Sequence, residues 1–285
     1  MPARRPSPAL VAFVLLLLLA PSCSRFQIDR GVQVEASGAA LGDVAARTMA
    51  PPTGAYRAIY TYTVEPATAP AAAALDGIEV VVDGRYDQDS GLSWAELDPD
   101  SESGVGSGEV GDVEAVSDPE AGVIEAQLDH GEPWTPLPFA QVPPAPGGLR
   151  HATADVLVLL ALAAHGEGQV TSGGQAQVLG VDTALLRVEK VLGAGVRGDA
   201  DLTALQAILG VAELGPLLET TVTYDVYIDA DRTVRRIVAT FDLTPVVEVA
   251  GLDVQAATER VQVDFAELGS SPPVTLPPDE EPAAG

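Results

Sequence analysis

Cysteine occurs once in the 285 residues, at position 23, and lysine once, at position 190. A single cysteine rules out an intramolecular disulfide, so a folded domain of this length must rest on its apolar core. The three histidines, His130, His151 and His165, lie far apart and lack metal-ligand spacing, which argues against a zinc site. No apolar run reaches the roughly 20 residues needed to cross a hydrocarbon core. Basic residues are scarce too: 15 against 41 acidic ones, a net charge of −26. A surface so negative repels nucleic acid and anionic lipid headgroups, so neither is an expected partner of the folded part. There is no G-x-S-x-G elbow to present a nucleophilic serine. The glycines at 104, 106 and 108 have neither a strand before them nor a helix after, so they do not form a phosphate loop. No constellation for catalysis, cofactor or metal emerges, and an enzyme is not expected.

What is present begins at the first residues. Arg4 and Arg5 precede an unbroken apolar run of 12 residues, 9–20, and then Pro21, Ser22 and Cys23. A charged start, a short apolar segment and a small-residue exit make an export signal. The position of Cys23 resembles a bacterial lipobox, although Ala20 stands where that pattern prefers leucine. The resemblance implies that residues 1–22 are cleaved and that Cys23 is lipidated and anchors the protein to the membrane face. Without Arg4 and Arg5, 13 basic residues face 41 acidic ones, a net charge of −28. Membrane attachment would then come from acyl chains, two or three of which hold stably where one does not. The alternatives are a plain secretory signal and an uncleaved anchor.

The mature chain reads as a tether over 23–35, one domain over 36–269 and a Pro-rich tail over 270–285. Leu41, Val44 and Ala45 sit at helical spacing and Pro51-Pro52 ends the run. Residues 56–65 alternate, with Tyr56, Ala58, Tyr60, Tyr62 and Val64 on one face. Strands are expected at 78–82 and 91–97, joined through Asp83-Gly84 and 87–91 turn chemistry. Residues 98–120, rich in Gly, Ser and acid, read as a solvated loop. Strands follow at 123–128 and 134–137. Residues 156–164 carry no polar side chain, so that helix is covered on all sides, by protein core or by a ligand. Two strands around Gly180 come next. A helix capped at Asp199 or Asp201 then presents Leu202, Leu205, Ile208, Leu209 and Ala212 and closes at Gly215-Pro216. From Thr221 the period is two through three strands, with turns at 229–232 and near Gly251.

The sum is an α+β plan: a curved antiparallel sheet, a half-barrel, with about three helices across its concave face. Such a shape leaves an apolar hollow between sheet and helices.

Several stretches resemble the LppX/LprG group of bacterial lipoproteins, which are related in fold to the LolA lipoprotein carriers. They are Gly173-Gly174, Val178-Leu179-Gly180-Val181-Asp182-Thr183 and Leu186-Arg187, then the run from Tyr224 through Asp231 and Val234-Arg235-Arg236. Val263-Asp264-Phe265 and the stretch from Val274 to Pro278 resemble that group's closing strand and tail. Where the group usually has glycine after Asp-x-Asp, this chain has Arg232. The resemblance implies a half-barrel that holds acyl chains, and a role in moving lipids or lipoproteins within the cell envelope. The protein would be a monomer on the outer face of the cytoplasmic membrane, with a lipid or acylated molecule as partner. The alternative is an envelope lipoprotein with a filled core and no ligand. The candidate walls of the hollow are Val156, Leu159, Leu160, Ile208 and Leu209, opposite the strand residues Tyr60, Val226 and Phe241.

Two remaining motifs are weak. Asp98, Asp100, Glu102 and Glu109 match places one, three, five and twelve of a calcium loop, but Ser103 stands where glycine is required and no helices flank it. Arg235-Arg236 could meet a headgroup, although a solvent-facing pair at a strand end is the simpler reading.

Overall fold

A computed structural model describes residues 31–65, 76–98, 113–127, 132–142, 148–249 and 254–277. Cys23 and the export signal, most of the calcium-spaced acids and His130 lie outside them.

Eleven strands form one open, curved, wholly antiparallel sheet, ordered β6-β5-β4-β3-β2-β1-β11-β10-β9-β8-β7. In chain order they are β1 Thr53–Glu65, β2 Glu79–Asp87, β3 Leu92–Asp98, β4 Val113–Asp118, β5 Val123–Gln127 and β6 Thr135–Pro138. β7 Gln169–Val178, β8 Val181–Val191, β9 Thr221–Ile228, β10 Val234–Asp242 and β11 Ala256–Ala266 follow. The first six strands meander outward from the centre. The last five start at the opposite edge and walk back, so β11 pairs with β1 in the middle. One inward row shows the register: Val80, Tyr60, Val261, Ala239, Tyr224 and Val188 are successive neighbours on β2, β1, β11, β10, β9 and β8. All six are buried. That is the period-two pattern at work, with apolar residues on the covered face.

The helices lie on that face. They are α1 Gly38–Met49, α2 Leu157–Ala164, α3 Leu192–Gly195, α4 Asp199–Leu209 and α5 Thr244–Val249. Ser37 caps α1 by accepting the Ala40 N–H at 3.2 Å. Thr48 pins the other end of α1 to the sheet: its hydroxyl donates to the Val44 carbonyl at 2.9 Å and accepts the Val234 N–H at 2.8 Å. In α2 all seven residues from Leu157 to Ala163 are buried, as a helix apolar all round requires. The lone lysine closes this helix. Lys190 Nζ reaches from β8 to donate to the Leu162 carbonyl at 2.9 Å and to that of His165, satisfying acceptors that a helix end leaves open.

Several expectations are corrected. Gly84 is not in a turn but inside β2, opposite Tyr56. Residues 113–118, read as solvated loop, form β4 with Ala115 and Val116 buried. The helix starting at Asp199 ends at Gly210, which takes the left-handed conformation that glycine accommodates, rather than at Gly215. Neither acid caps it with a side chain; Asp201 instead accepts from Arg197, from the backbone N–H at 2.8 Å and from the guanidinium at 2.9 and 2.6 Å. The connection between β10 and β11 contains α5, entered through Asp242, whose carboxylate accepts the Thr244 N–H at 3.0 Å, and the turn expected near Gly251 lies outside the described residues. Residues 271–277 are not merely a trailing end. Ser271 and Val274 are buried, and the Val274 N–H donates to Asp87 at 3.3 Å.

Arg232, in the glycine position, adopts φ 61°. A left-handed non-glycine residue costs roughly 1–2 kcal/mol. Asp229 offsets this: buried, it accepts from Asp231 N, Thr233 N, Thr233 Oγ1 and Arg235 Nε, all within 3.0 Å. Arg236 pairs across the sheet with Asp264, so neither arginine of the Arg235-Arg236 pair is a free solvent charge. Both outer strands are blunted. β6 is four residues long with two prolines, and β7 is largely exposed, polar and bulged between Ser172 and Gly174.

Candidate functional site

The half-open cavity that marks the site lies where α2 begins. Its volume is about 380 Å³. Val156, Leu157, Val158 and Ala161 form one wall, Tyr56 and Tyr86 the floor on β1 and β2, and Met49 closes the α1 side. Asp87, Gln88, Gly91, Leu92 and Ser93, from the β2–β3 connection, line the mouth with Pro119; Asp155 and Arg197 complete the rim.

The floor follows from two short motifs, Gly54-Ala55-Tyr56 and Gly84-Arg85-Tyr86, set antiparallel so that Tyr56 faces Gly84 and Tyr86 faces Gly54. A Cβ on Gly84 would lie 2.2 Å from Tyr56 Cζ, and one on Gly54 2.5 Å from Tyr86 Cζ. Each ring therefore lies flat over the glycine of the other strand, in space only a missing side chain provides. The rings stay low, and room is left above them beneath α2.

Both phenols are buried, at 4% and 7% exposure, and neither hydroxyl has a hydrogen-bond partner among the described residues. Burial, with a smaller push from the negative charge of Asp155, raises the Tyr86 pKa to about 12 and that of Tyr56 further. Both are neutral donors at any physiological pH. Asp155 Oδ1 accepts the Leu157 N–H at 3.0 Å, starting α2. Its carboxyl is exposed where it lines the cavity, yet enclosed enough that desolvation raises its pKa above the ordinary value. The leading effect on Arg197 is the bidentate grip of Asp201, which raises its pKa. Asp87 is occupied by the backbone N–H groups of Asp89, Ser90 and Val274.

Of the eight residues expected to wall a hollow, Val156 lines this cavity. Tyr60, Leu159, Leu160, Ile208, Leu209, Val226 and Phe241 sit together in the buried core, each at 0–1% exposure. The hollow lies beside the start of α2 rather than across its length. Tyr86, Asp155 and Arg197 were not among the expected residues, and the repeated Gly-x-Tyr is the signal that could have found the floor.

A second polar cluster lies deeper. His151, on the short 3-10 helix Leu149–Thr153, stacks on Tyr60 with ring centres 4.4 Å apart, and its Nε2 is 3.1 Å from Tyr62 Oη. Glu259 on β11 is fully buried opposite Tyr62 and Phe241, with neither oxygen hydrogen-bonded. Among the described residues no group of acids, histidines or cysteine could hold a metal ion. On the opposite face of the sheet a groove of about 270 Å³ runs between Arg85, Trp94, Val116 and Trp134 and the segment 273–277, with Arg85 over the Trp94 ring at 4.5 Å.

No protein-family model and no curated protein matches this chain. Among solved structures it is similar to the lipoprotein LppX of Mycobacterium tuberculosis, at 11% identity over 84% of this chain and 100% of that one, with a TM-score of 0.43. It is similar to LprF of Mycobacterium bovis at 12% identity over 83% and 95%, with a TM-score of 0.44. A LolA superfamily protein of Nitrosomonas europaea aligns at 9% identity over 85% and 96%, with a TM-score of 0.30. LppX is a namesake of the group that the sequence resembles.

Proposed function

We propose that this protein is an exported, lipid-anchored carrier of the cell envelope that shelters the acyl part of a lipid in the cavity beside α2. The supporting observation is the cavity itself. At about 380 Å³ it falls in the usual range for small-ligand sites, and aliphatic side chains of α2 form its main wall. Each methylene taken from water gains roughly 0.8 kcal/mol there. Transfer from a bilayer, which is equally apolar, is nearly even, as reversible loading and release require. Lipidated Cys23 would hold the protein at the membrane, since the acidic fold would not adhere to anionic leaflets. The protein acts as a monomer, with no nucleic-acid partner and no chemistry on its cargo. The alternative, an envelope lipoprotein with no ligand, draws on the seven expected wall residues that instead fill the core.

Native mass spectrometry of protein gently extracted from membranes tests the reading. A lipid-mass adduct should accompany the wild type and be lost in Ala161→Trp, which fills the cavity, while Cys23→Ser should move the protein to the soluble fraction. No adduct in repeated preparations would favour the ligand-free alternative.

A further inference from the structure

We infer that the tip of the β7–β8 hairpin, Leu179-Gly180-Val181, is a membrane-docking point that seats in the hydrocarbon edge of a zwitterionic leaflet. The inference goes beyond the carrier reading: it rests on the lipid anchor which that reading includes, and on no cargo. Val178 pairs with Val181, so the hairpin turns on two residues, Leu179 and Gly180, both left-handed at φ 51° and 78°. Such a turn favours Asn-Gly, since glycine, asparagine and aspartate take that conformation most readily. Here a leucine holds the first place and stands 62% exposed, with Val181 beside it at 38%. A single exposed apolar side chain needs no explanation. A leucine that is unfavourable both in its backbone conformation and in facing water points to a partner that covers it.

That partner is a lipid surface, because the tether arrives at this hairpin. The Gln175 amide donates to the Val32 carbonyl, and Gly31 passes so close that a Cβ on it would lie 1.9 Å from Gln175 Oε1. Gly31 is eight residues from Cys23, a reach of at most about 29 Å. Acyl chains on Cys23 would keep this edge of the sheet within that distance of the leaflet. The hairpin is also suited to the contact in charge. Residues 168–181 carry none, in a chain with 41 acids, and β7 shows most of that neutral stretch to solvent. Beside the tip, the Asp182 carboxylate accepts from the Gln177 amide at 2.9 Å. The register places the tip and the cavity mouth at one end of the sheet. Ala184 pairs with Ile228, Ile228 with Val234, Arg236 with Asp264, Asp264 with Arg57, and Thr53 with Asp87, where the β2–β3 connection lines the mouth. A seated tip thus brings the mouth to the same leaflet. Other exposed charges at that end include Asp89, Glu120, Asp231, Arg232 and Glu267, mostly acidic, so an anionic leaflet would oppose the contact.

Protein purified from membranes with its acyl chains, and placed on vesicles of plain or brominated phosphatidylcholine, tests this. An acylated Cys23 has no free thiol, so Gln177→Cys and Val191→Cys each take one fluorophore, beside the tip and at the far end of β8, where Val191 is also exposed. The two labels lie roughly 30 Å apart along the hairpin. Brominated lipid should quench the label at 177 and leave that at 191 unchanged. Adding Leu179→Asn should lower the docked population about tenfold. The same change should keep or raise stability to denaturant, because asparagine suits the turn, whereas a leucine needed for packing would lower it. Phosphatidylglycerol in the vesicles should weaken the quenching, and added salt should restore it. The inference is overturned if 191 is quenched as strongly as 177, if Leu179→Asn leaves the quenching unchanged, or if anionic lipid strengthens it. Quenching at neither label on vesicle-bound protein would overturn it and leave the anchor and the carrier standing. Protein that never joins the vesicles would remove the anchor and the inference together. A signal at 177 that follows protein density rather than bromine would give the hairpin to a second copy of the chain and overturn the inference as well.

Discussion

Replacing Glu259 by glutamine should change how stability depends on pH, by an amount the structure sets. Glu259 is fully buried; Tyr62 is near enough to temper its environment but completes no hydrogen bond with it. Desolvation raises its pKa well above the ordinary 4.5. As pH climbs past 4.5 the unfolded chain releases this proton while the folded chain keeps it. Stability therefore falls with rising pH, by about 1.4 kcal/mol per unit, until the folded pKa is reached. His151 has the opposite sign. Burial lowers its pKa from 6.5 to about 4, so below 6.5 the unfolded chain takes up a proton that the folded chain refuses. Stability then rises with pH at about the same slope across that window, about 3 kcal/mol in all. Above pH 4.5 the two groups oppose each other in the wild type. Removing one exposes the other. In Glu259→Gln that loss should disappear, so the variant should gain on the wild type as pH climbs above 4.5. Denaturant titrations at several pH values, read by tryptophan fluorescence, measure the difference, and the other carboxylates drop out because both proteins share them. A wild-type-to-variant difference that stays constant from pH 4.5 to 6.5 would refute the reasoning.

Thr48→Val should cost about 1–3 kcal/mol, because it strands the buried Val234 N–H, and Thr48→Ser should recover most of it by the same denaturation assay. Gly84→Ala should cost about 1–3 kcal/mol and weaken lipid binding, since the new methyl drives the Tyr56 ring upward into the cavity. Gly42→Ala, with nothing within 4 Å of its new Cβ in α1, should be neutral or stabilising by up to about 1 kcal/mol. A Gly84 variant as stable as the Gly42 variant would contradict the ring-over-glycine account.

The strand faces were legible because alternation is a local property: Tyr56 to Val64 and Val222 to Ile228 declare their covered side within a few residues. The burial of α2 was equally plain, since no helix lacking a polar side chain can face water. What covers α2 was not, because that depends on residues a hundred positions away. Gly84 shows the same limit. Asp-Gly is a turn signal read locally, and only the Tyr56 ring, on a strand 28 residues earlier, makes the glycine a strand residue. β4 was hidden because its flanks are acid and glycine, and its pairing with β3 and β5 outweighs that composition. The site residues Tyr86, Asp155 and Arg197 each look ordinary alone, and only the fold brings them to one rim.

The placement of Lys190 has a consequence for the chemistry of the whole surface. With the sole ε-amine drawn into the end of α2, every permanent cation the folded domain shows to solvent among its described residues is a guanidinium, which neither acylates readily nor forms Schiff bases. Reactive aldehydes and activated esters would find no lysine to modify on the intact domain. Modification at position 190 would thus register the moments when that end of the helix comes undone.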